Sequence, residues 1–322
     1  MKKILLFLTL LLSTFAFSQE DIKKDTLKTV TVQTSKRGLK KSISGTANTT
    51  LVTSKELLKA ACCNLAESFE TNPSIDVNFA DALTGTKQIK MLGLTSPYIM
   101  ITEENIPSVR GASQAYGLSF TPGTWVESIQ ITKGAGSVVN GFESISGQIN
   151  TELIKPLKDI PFYLNAYGST DSRFELNTHF NKKVTEDWAT SLFVHGSARV
   201  AKNDMNDDGF LDNPLGKQFN IINRWQYACA ETGWVSFINL RYMNDKKQTG
   251  QLDFDPNRDR LTTNYWGSEI NTERIDFSSK VGYVWEEMPF QSIGFQSAFS
   301  NHNQESYFGL NQYNIKQQSY YS

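Results

Sequence analysis

Cysteine is nearly missing from these 322 residues: only Cys62, Cys63 and Cys229 occur. Adjacent cysteines bond each other only under strain, and an odd count leaves a thiol unpaired, so no disulfide framework holds the chain. Cys62 and Cys63 fit either a soft-metal thiolate pair or two small buried residues; no third soft ligand lies near them, which favours burial. Histidine is as scarce, at His179, His195 and His302. G-x-S-x-G, H-E-x-x-H and Gly-Lys phosphate motifs are absent, so a soluble enzyme has nothing to rest on. A surplus of charge is missing too. Lys and Arg number 32 against 33 Asp and Glu, a net charge of -1, which excludes a general attraction for nucleic acid or anionic membranes. Finally, past the N-terminus no apolar run reaches about 18 residues, which excludes a mature helical membrane protein. A mature membrane role would need β-strands.

What is present points to packed structure: 39% of residues are hydrophobic and 12% aromatic. Lys2 and Lys3 precede an apolar run, Ile4 to Phe17, closed by Ala16-Phe17-Ser18. Too short to span a bilayer, this is read as a cleaved secretory signal over residues 1–18. The polar stretch from Asp21 to Ser54 follows, with one β-prone run, Leu27 to Thr34, in which Leu27, Thr29, Val30, Thr31 and Val32 stand out. Such a run in a mobile tail can add to the sheet edge of a partner; its other reading is an edge strand of the next domain. Lys36, Arg37, Lys40 and Lys41 read as a solvated charge run.

The densest stretch runs from Asn64 to Ile149. Ser128 to Thr132 is predicted as a strand stopped by Lys133-Gly134, then comes a Gly-bounded kink through Gly141, and Gln148 to Glu152, just after Gly147, is a second strand. Upstream lie Asn64-Leu65-Ala66-Glu67 through Pro73-Ser74-Ile75-Asp76-Val77, then Gln88 to Leu94 with Gly93, then Tyr98 to Pro107. These four landmarks, in order, resemble the plug domain of TonB-dependent outer-membrane receptors. The first resembles its opening "L-x-x-L-x-x-x-PGV-x-V", the second its "I-x-IRG" strand and the third its "V-x-V-x-x-DG-x-P" strand and turn. Trp125 to Thr151 resembles its "IE-x-IEV-x-KGP" and "YG-x-x-A-x-GGVINI" end. Two departures matter. Leu92 replaces an arginine that in the family joins a charged cluster tying plug to barrel, and Glu104-Asn105 replaces the Asp-Gly turn. The locking charges are therefore unaccounted for, with Glu127 alone keeping the acidic partner.

From Phe162 onward the pattern changes to period two. Phe174, Leu176, Thr178 and Phe180 alternate with Arg173, Glu175, Asn177, His179 and Asn181; Phe219, Ile221, Trp225 and Tyr227 alternate with Gln218, Asn220, Arg224 and Gln226. Ile275, Phe277, Val281, Tyr283 and Trp285 set against Asp276, Ser278 and Lys280, and Ile293, Phe295 and Phe299 set against Ser292, Gln296 and Ser300, repeat it. A soluble sandwich also alternates; aromatics placed as interfacial girdles, at Trp188, Trp225, Tyr227, Trp234, Tyr242 and Trp285, favour a membrane barrel. Short turns at 169–171, 185–187, 231–233 and 286–289 contrast with long loops at 201–217 and 244–272, the asymmetry of outer-membrane barrels. Seven strands and the start of an eighth at Lys316 to Tyr321 are expected, whereas enclosing a plug takes about 22. The chain is therefore read as a fragment or truncated frame.

One loop carries a cation signature. Asp204, Asn206, Asp208 and Asp212, with Gly209 and the carbonyl of Phe210, match D-x-[DN]-x-[DN]-G calcium loops, but Leu215 stands where the bidentate acid belongs. A weak calcium site and an Asp-Gly turn are equally open readings. His179 and His195 fall on the polar face of neighbouring strands, where filling a lumen is the simpler reading.

The expected fold class is an α/β plug domain followed by an antiparallel transmembrane β-barrel, with the first seven to eight of about 22 strands present. The domains are 1–18 signal, 19–53 periplasmic tail, 54–155 plug and 156–322 barrel. The resemblance implies a receptor in the outer membrane of a Gram-negative bacterium, its N-terminus periplasmic. It implies that Leu27 to Thr34 is a TonB box engaging the C-terminal domain of TonB, powered through TonB-ExbB-ExbD. It implies active uptake of a scarce extracellular small-molecule or metal-complex cargo, ferric siderophores foremost. Outer-membrane lipid is the other partner, with no nucleic acid, no enzymatic activity and no cofactor beyond the calcium reading. A non-transporting surface barrel, adhesive or structural, is the rival, followed by an outer-membrane hydrolase.

Overall fold

The computed structural model describes residues 39–41, 48–57, 64–70, 75–81, 83–136, 138–157, 159–288 and 290–322. The N-terminal domain holds strands β1 (Leu39–Lys41), β2 (Asn48–Thr53), β3 (Asp76–Asp81), β4 (Thr86–Met91), β5 (Leu94–Thr95), β6 (Ile99–Glu103), β7 (Ile106–Pro107), β8 (Val126–Lys133) and β9 (Gly147–Leu153). Two short helices, α1 (Ser54–Leu57) and α2 (Leu65–Ser68), lie between β2 and β3. One sheet has the order β1-β2-β8-β9-β6-β7, with β6 parallel to β9, and β3-β4-β5 form a second.

Alternation explains the central strand. Ile129 and Ile131 of β8 are fully buried against Ile149, Ile101 and Ile89, while Gln130 between them is exposed. Gly147 opens β9 because a Cβ there would run into the Met91 side chain and sit 3.0 Å from the carbonyl of Thr132. Helix α2 starts where Asn64 caps it, its side-chain oxygen accepting from the Glu67 N–H at 3.1 Å. The sequence reading began this domain at residue 54. In the structure Asn48–Thr53 already pair with β8 along their whole length, because Thr50 and Val52 alternate inward. Beta-branched residues in a polar stretch suffice for a strand when a buried neighbour supplies the ladder.

The third sheet is a meander: β10 (Phe162–Gly168), β11 (Arg173–Lys183), β12 (Trp188–Arg199), β13 (Leu215–Ala228), β14 (Trp234–Gly250), β15 (Gly267–Val284) and β16 (Ser292–Phe308). β17 (Asn311–Gln312) and β18 (Ile315–Tyr321) both pair with β16, so together they are an eighth strand with a break. Seven strands and an eighth were expected. The long connections are shorter than the sequence suggested, 200–214 and 251–266, because the ladder of β14 with β15 runs out to Gly250 and Gly267. Polar side chains do not end a ladder where both faces meet water. The two long loops lie at the same end and touch, through a bridge of Phe210 with Gln251, and a single helical turn, α3 (Pro256–Asp259), sits in the second.

Burial along these strands is inverted. On β11 the exposed residues are Phe174, Leu176 and Phe180, and the buried ones are Glu175, Asn177 and His179. Likewise Phe219 and Trp225 of β13 are exposed while Asn220, Arg224 and Gln226 are buried. A sheet with its apolar face out cannot be at rest in water; it suits hydrocarbon. Trp188, Trp225, Tyr227, Trp234, Tyr283 and Trp285 ring the short-turn end, Trp188 lying 5.0 Å from Tyr227 and Trp234 5.1 Å from Tyr283. Tyr242, grouped with them by sequence, instead stands eight residues up β14 from Trp234. That is roughly 26 Å of strand, which places it at the far rim of the apolar band.

Candidate functional site

The N-terminal domain meets the polar inner face of β11–β15, and the contact is organised by one hairpin. β6 and β7 are joined by two residues, Glu104 and Asn105, with φ of 52° and 64°. Both central residues being left-handed makes a type I′ turn. Asn tolerates that conformation; Glu does so at a cost. The wall compensates. The Glu104 carboxylate accepts from Arg224 Nη2 and from Lys155 Nζ, each at 2.5 Å, and Lys280 donates to its carbonyl oxygen. Asn105 is held as well, its N–H donating to Asn150 Oδ1 at 2.7 Å. Burial opposes ionisation of Glu104, but Arg224, Lys155 and Lys280 outweigh it and hold the carboxyl at about 2.

Above this pair the contacts continue on a diagonal. Cross-strand register puts Arg241 of β14 opposite Ile222, one inward position beyond Arg224, and Arg274 of β15 opposite Met243, one further. Arg241 Nη2 donates to the Phe120 carbonyl at 2.5 Å, and its Nη1 lies 3.5 Å from the Glu103 carboxylate. Arg274 Nη1 donates to the Ser108 carbonyl at 3.3 Å while its Nε is held by Asp276 at 2.8 Å. Arg224, Arg241 and Arg274 therefore each grip backbone or carboxylate of the hairpin or of the segments beside it. Beside them Trp125 and Leu153 pack on Phe193 and Ile222, the rings of Trp125 and Phe193 5.6 Å apart. An apolar patch on an otherwise polar wall fixes where the domain sits. At the other flank Glu67 of α2 pairs with Arg173 at 2.9 Å.

A cavity of about 450 Å³ opens between the hairpin and β14–β18, its lining including Glu103, Arg110, Arg274, His302 and Gln317. His302 is buried, and neither ring nitrogen meets a hydrogen-bond partner among the described residues. The other two histidines are engaged, His179 with Asp159 at 2.6 Å and His195 with Asn177 at 2.7 Å.

The residues singled out in the sequence are spread through the domain. Gly93, with φ of 81°, follows Leu92, with φ of 51°, in the tight turn between β4 and β5. Gly134 turns at the end of β8 after Lys133, its N–H donating to the Ser146 carbonyl at 2.9 Å. Gly141, at φ of 147°, holds a backbone conformation that side chains disfavour, and a Cβ there would also displace the ends of the Met100 and Glu143 side chains. Glu127 is exposed, because a bulge between Val126 and Ser128 turns Val126 inward in its place. The locking acid is thus Glu104, and its partners Arg224, Lys155 and Lys280 went unseen as a group. The signal available was the departure of Glu104-Asn105 from Asp-Gly.

In the loop from Asp204 to Asp212 the side-chain oxygens turn onto the loop itself. Asp204 accepts from the N–H of Asp208 and of Gly209, Asn206 from Asp208 N–H, Asp208 from the Phe210 N–H and Asp212 from the Met205 N–H. Among the described residues no group of three or more His, Cys, Asp or Glu is placed to hold a metal ion. Leu27 to Thr34, Cys62 and Cys63 lie outside the described residues.

Residues 41–148 match the family described as TonB-dependent Receptor Plug Domain. These residues form a plug domain of that description. No curated protein matches the chain by sequence. Among solved structures, the ferric-catecholate import receptor Fiu from E. coli K12 superposes with a TM-score of 0.59 at 12% identity, covering 82% of this chain and 40% of that one. The ferric citrate transporter FecA does so at 0.59 and 15%, covering 81% and 40%. The copper transporter OprC gives 0.52 and 13%, covering 84% and 50%. At these identities the likeness is one of fold: a plug followed by the first strands of the surrounding wall. The chain spans about 40% of the length of Fiu and FecA.

Proposed function

We propose that this plug and wall belong to a TonB-dependent outer-membrane receptor that takes up a scarce solute into the periplasm. The observation that carries the reading is the inverted sheet: its apolar face is outward, and its polar face is filled by a plug gripped through Glu104, Glu103 and Glu67. A plug held by a few ion pairs and carbonyl contacts can be displaced; a fused core cannot. Ferric siderophores or other metal complexes are the proposed cargo, a reading supported by the names of the solved neighbours, which import ferric catecholates, ferric citrate or copper. The short-turn end, with its tryptophans, faces the periplasm, and the long loops face outward. The run from Leu27 to Thr34 is the proposed strand by which TonB pulls on the plug.

The test is uptake in cells. Val30→Pro in the intact receptor is expected to abolish energised uptake while surface binding of cargo persists, since proline cannot donate to an added strand. Undiminished uptake by that variant overturns the energy-coupling reading and promotes a surface barrel that does not transport.

A further inference from the structure

The wall that grips the hairpin is out of balance without it. Facing the hairpin on β13, β14 and β15 are four cations, Arg224, Arg241, Arg274 and Lys280, against one carboxylate, Asp276, a surplus of three positive charges. The hairpin region answers with Glu103 and Glu104. Close by, Lys155 pairs with Glu152 at 2.8 Å, a cation and an acid that cancel. Even so the wall is not saturated. Arg224 is only 1% exposed, yet its Nε and Nη1 meet no acceptor among the described residues.

From this we propose that the solute passing this wall is an anion, whose carboxylate-like or phosphate-like oxygens take the places that Glu103 and Glu104 hold in the closed plug. The inference rests on the transport reading and specifies its substrate class. Its physical basis is the cost of stripping counter-charge from desolvated guanidinium groups. When the hairpin withdraws, Arg224, Arg241 and Arg274 remain as a diagonal of donors, one inward position apart on successive strands. A neutral solute would leave them to water alone. An anion moves from one to the next, bidentate at each planar fork. The cavity beside the hairpin, bordered by Arg274 and the unpartnered His302, gives such a group room on the approach. The two glutamates therefore act as a built-in stand-in for cargo, closing the path with the same chemistry that opens it.

The experiment empties the stand-in position and asks what refills it. Intact receptor purified from outer membranes is prepared as wild type and as Glu104→Ala, with Glu103→Ala as the milder variant should the first not assemble. Thermal unfolding is followed with inorganic phosphate in the millimolar range, and with sodium chloride at matched ionic strength. Phosphate is expected to raise the unfolding temperature of the variants by several degrees, chloride to do much less, and wild type to respond to neither. Adding Arg224→Gln to Glu104→Ala, or Arg241→Gln to Glu103→Ala, should remove the rescue. A variant that phosphate leaves unmoved, or a wild type that responds equally, overturns the proposal; so does equal rescue by spermidine, a cation. The readout uses no energised uptake, so a receptor that fails the Val30→Pro test can still pass this one, and the two failures stay distinct.

Discussion

The plug and the wall are built from the same alternation and resolve it in opposite directions. In β8 of the plug, Ile129 and Ile131 point inward and Gln130 points to water. In β11 of the wall, Glu175, Asn177 and His179 point inward and Phe174, Leu176 and Phe180 point out. The plug is held together by apolar burial, worth roughly 1.5–3 kcal/mol for each large side chain. The wall is held by its ladder and by what its polar face can bond, because hydrocarbon outside offers nothing to an unpaired N–H. The comparison teaches why the wall side of the interface between the two regions is mainly polar, with Phe193 and Ile222 as its apolar patch. The plug meets it with a hairpin carrying two acids.

The largest effect expected is on that meeting. Arg224→Met leaves Glu104 buried beside fewer cations, and breaking such a pair from one side costs about 3–5 kcal/mol. The measurement is thermal or urea-induced release of the plug in the intact receptor; a change within error would mean that apolar contacts at Trp125 carry the interface instead. The same lock has a pH dependence. The carboxyl of Glu104 is held at about 2 against its ordinary 4.5, so its contribution is fully present above pH 4.5 and is lost as pH falls through about 2. Plug release that sets in near neutral pH would contradict this sign.

A second substitution tests the inversion itself. Ile238 faces outward, midway between Trp234 and Tyr242 on β14. Ile238→Arg is expected to cost roughly 2–4 kcal/mol in a bilayer, the value for a cation near mid-depth on a lipid-facing strand. On a water-facing sheet an exposed position of this kind changes stability by about 0.5 kcal/mol or less. Insertion and folding yield in lipid vesicles separates the two, and an indifferent variant would return the sheet to the soluble class.

The smallest effect is expected at the loop from Asp204 to Asp212, where we propose a weak calcium site. Asp204, Asn206 and Asp208 already accept from N–H groups of the loop, so an ion gains little from organising it. Titration to several millimolar calcium, the weak end for such loops, is expected to show binding that Asp208→Ala diminishes. No calcium-dependent change would leave the residues as turn formers alone.

Much of the wall was legible because period two is a local property: each of Phe219, Ile221, Trp225 and Tyr227 declares its face by its neighbours. The turn at Lys133-Gly134 was legible for the same reason, being set by backbone demands within a few residues. Three things were not. β2 lies in a polar stretch and is a strand only because β8 pairs with it. Glu127 carried the expected acid, yet a one-residue bulge turned it to solvent. The lock joins Glu104 to Arg224, 120 residues on, and to Lys280, 176 residues on.

The amino-acid sequence by itself determined the two alternations, the positions of the turns and the family of the plug, since all of these follow from spacing and composition over short distances. Only the tertiary structure decided which acid faces which arginine. Charge pairing across a lumen depends on strand register and on the rotation of one domain within another, and a single bulge or a two-residue step reassigns every partner.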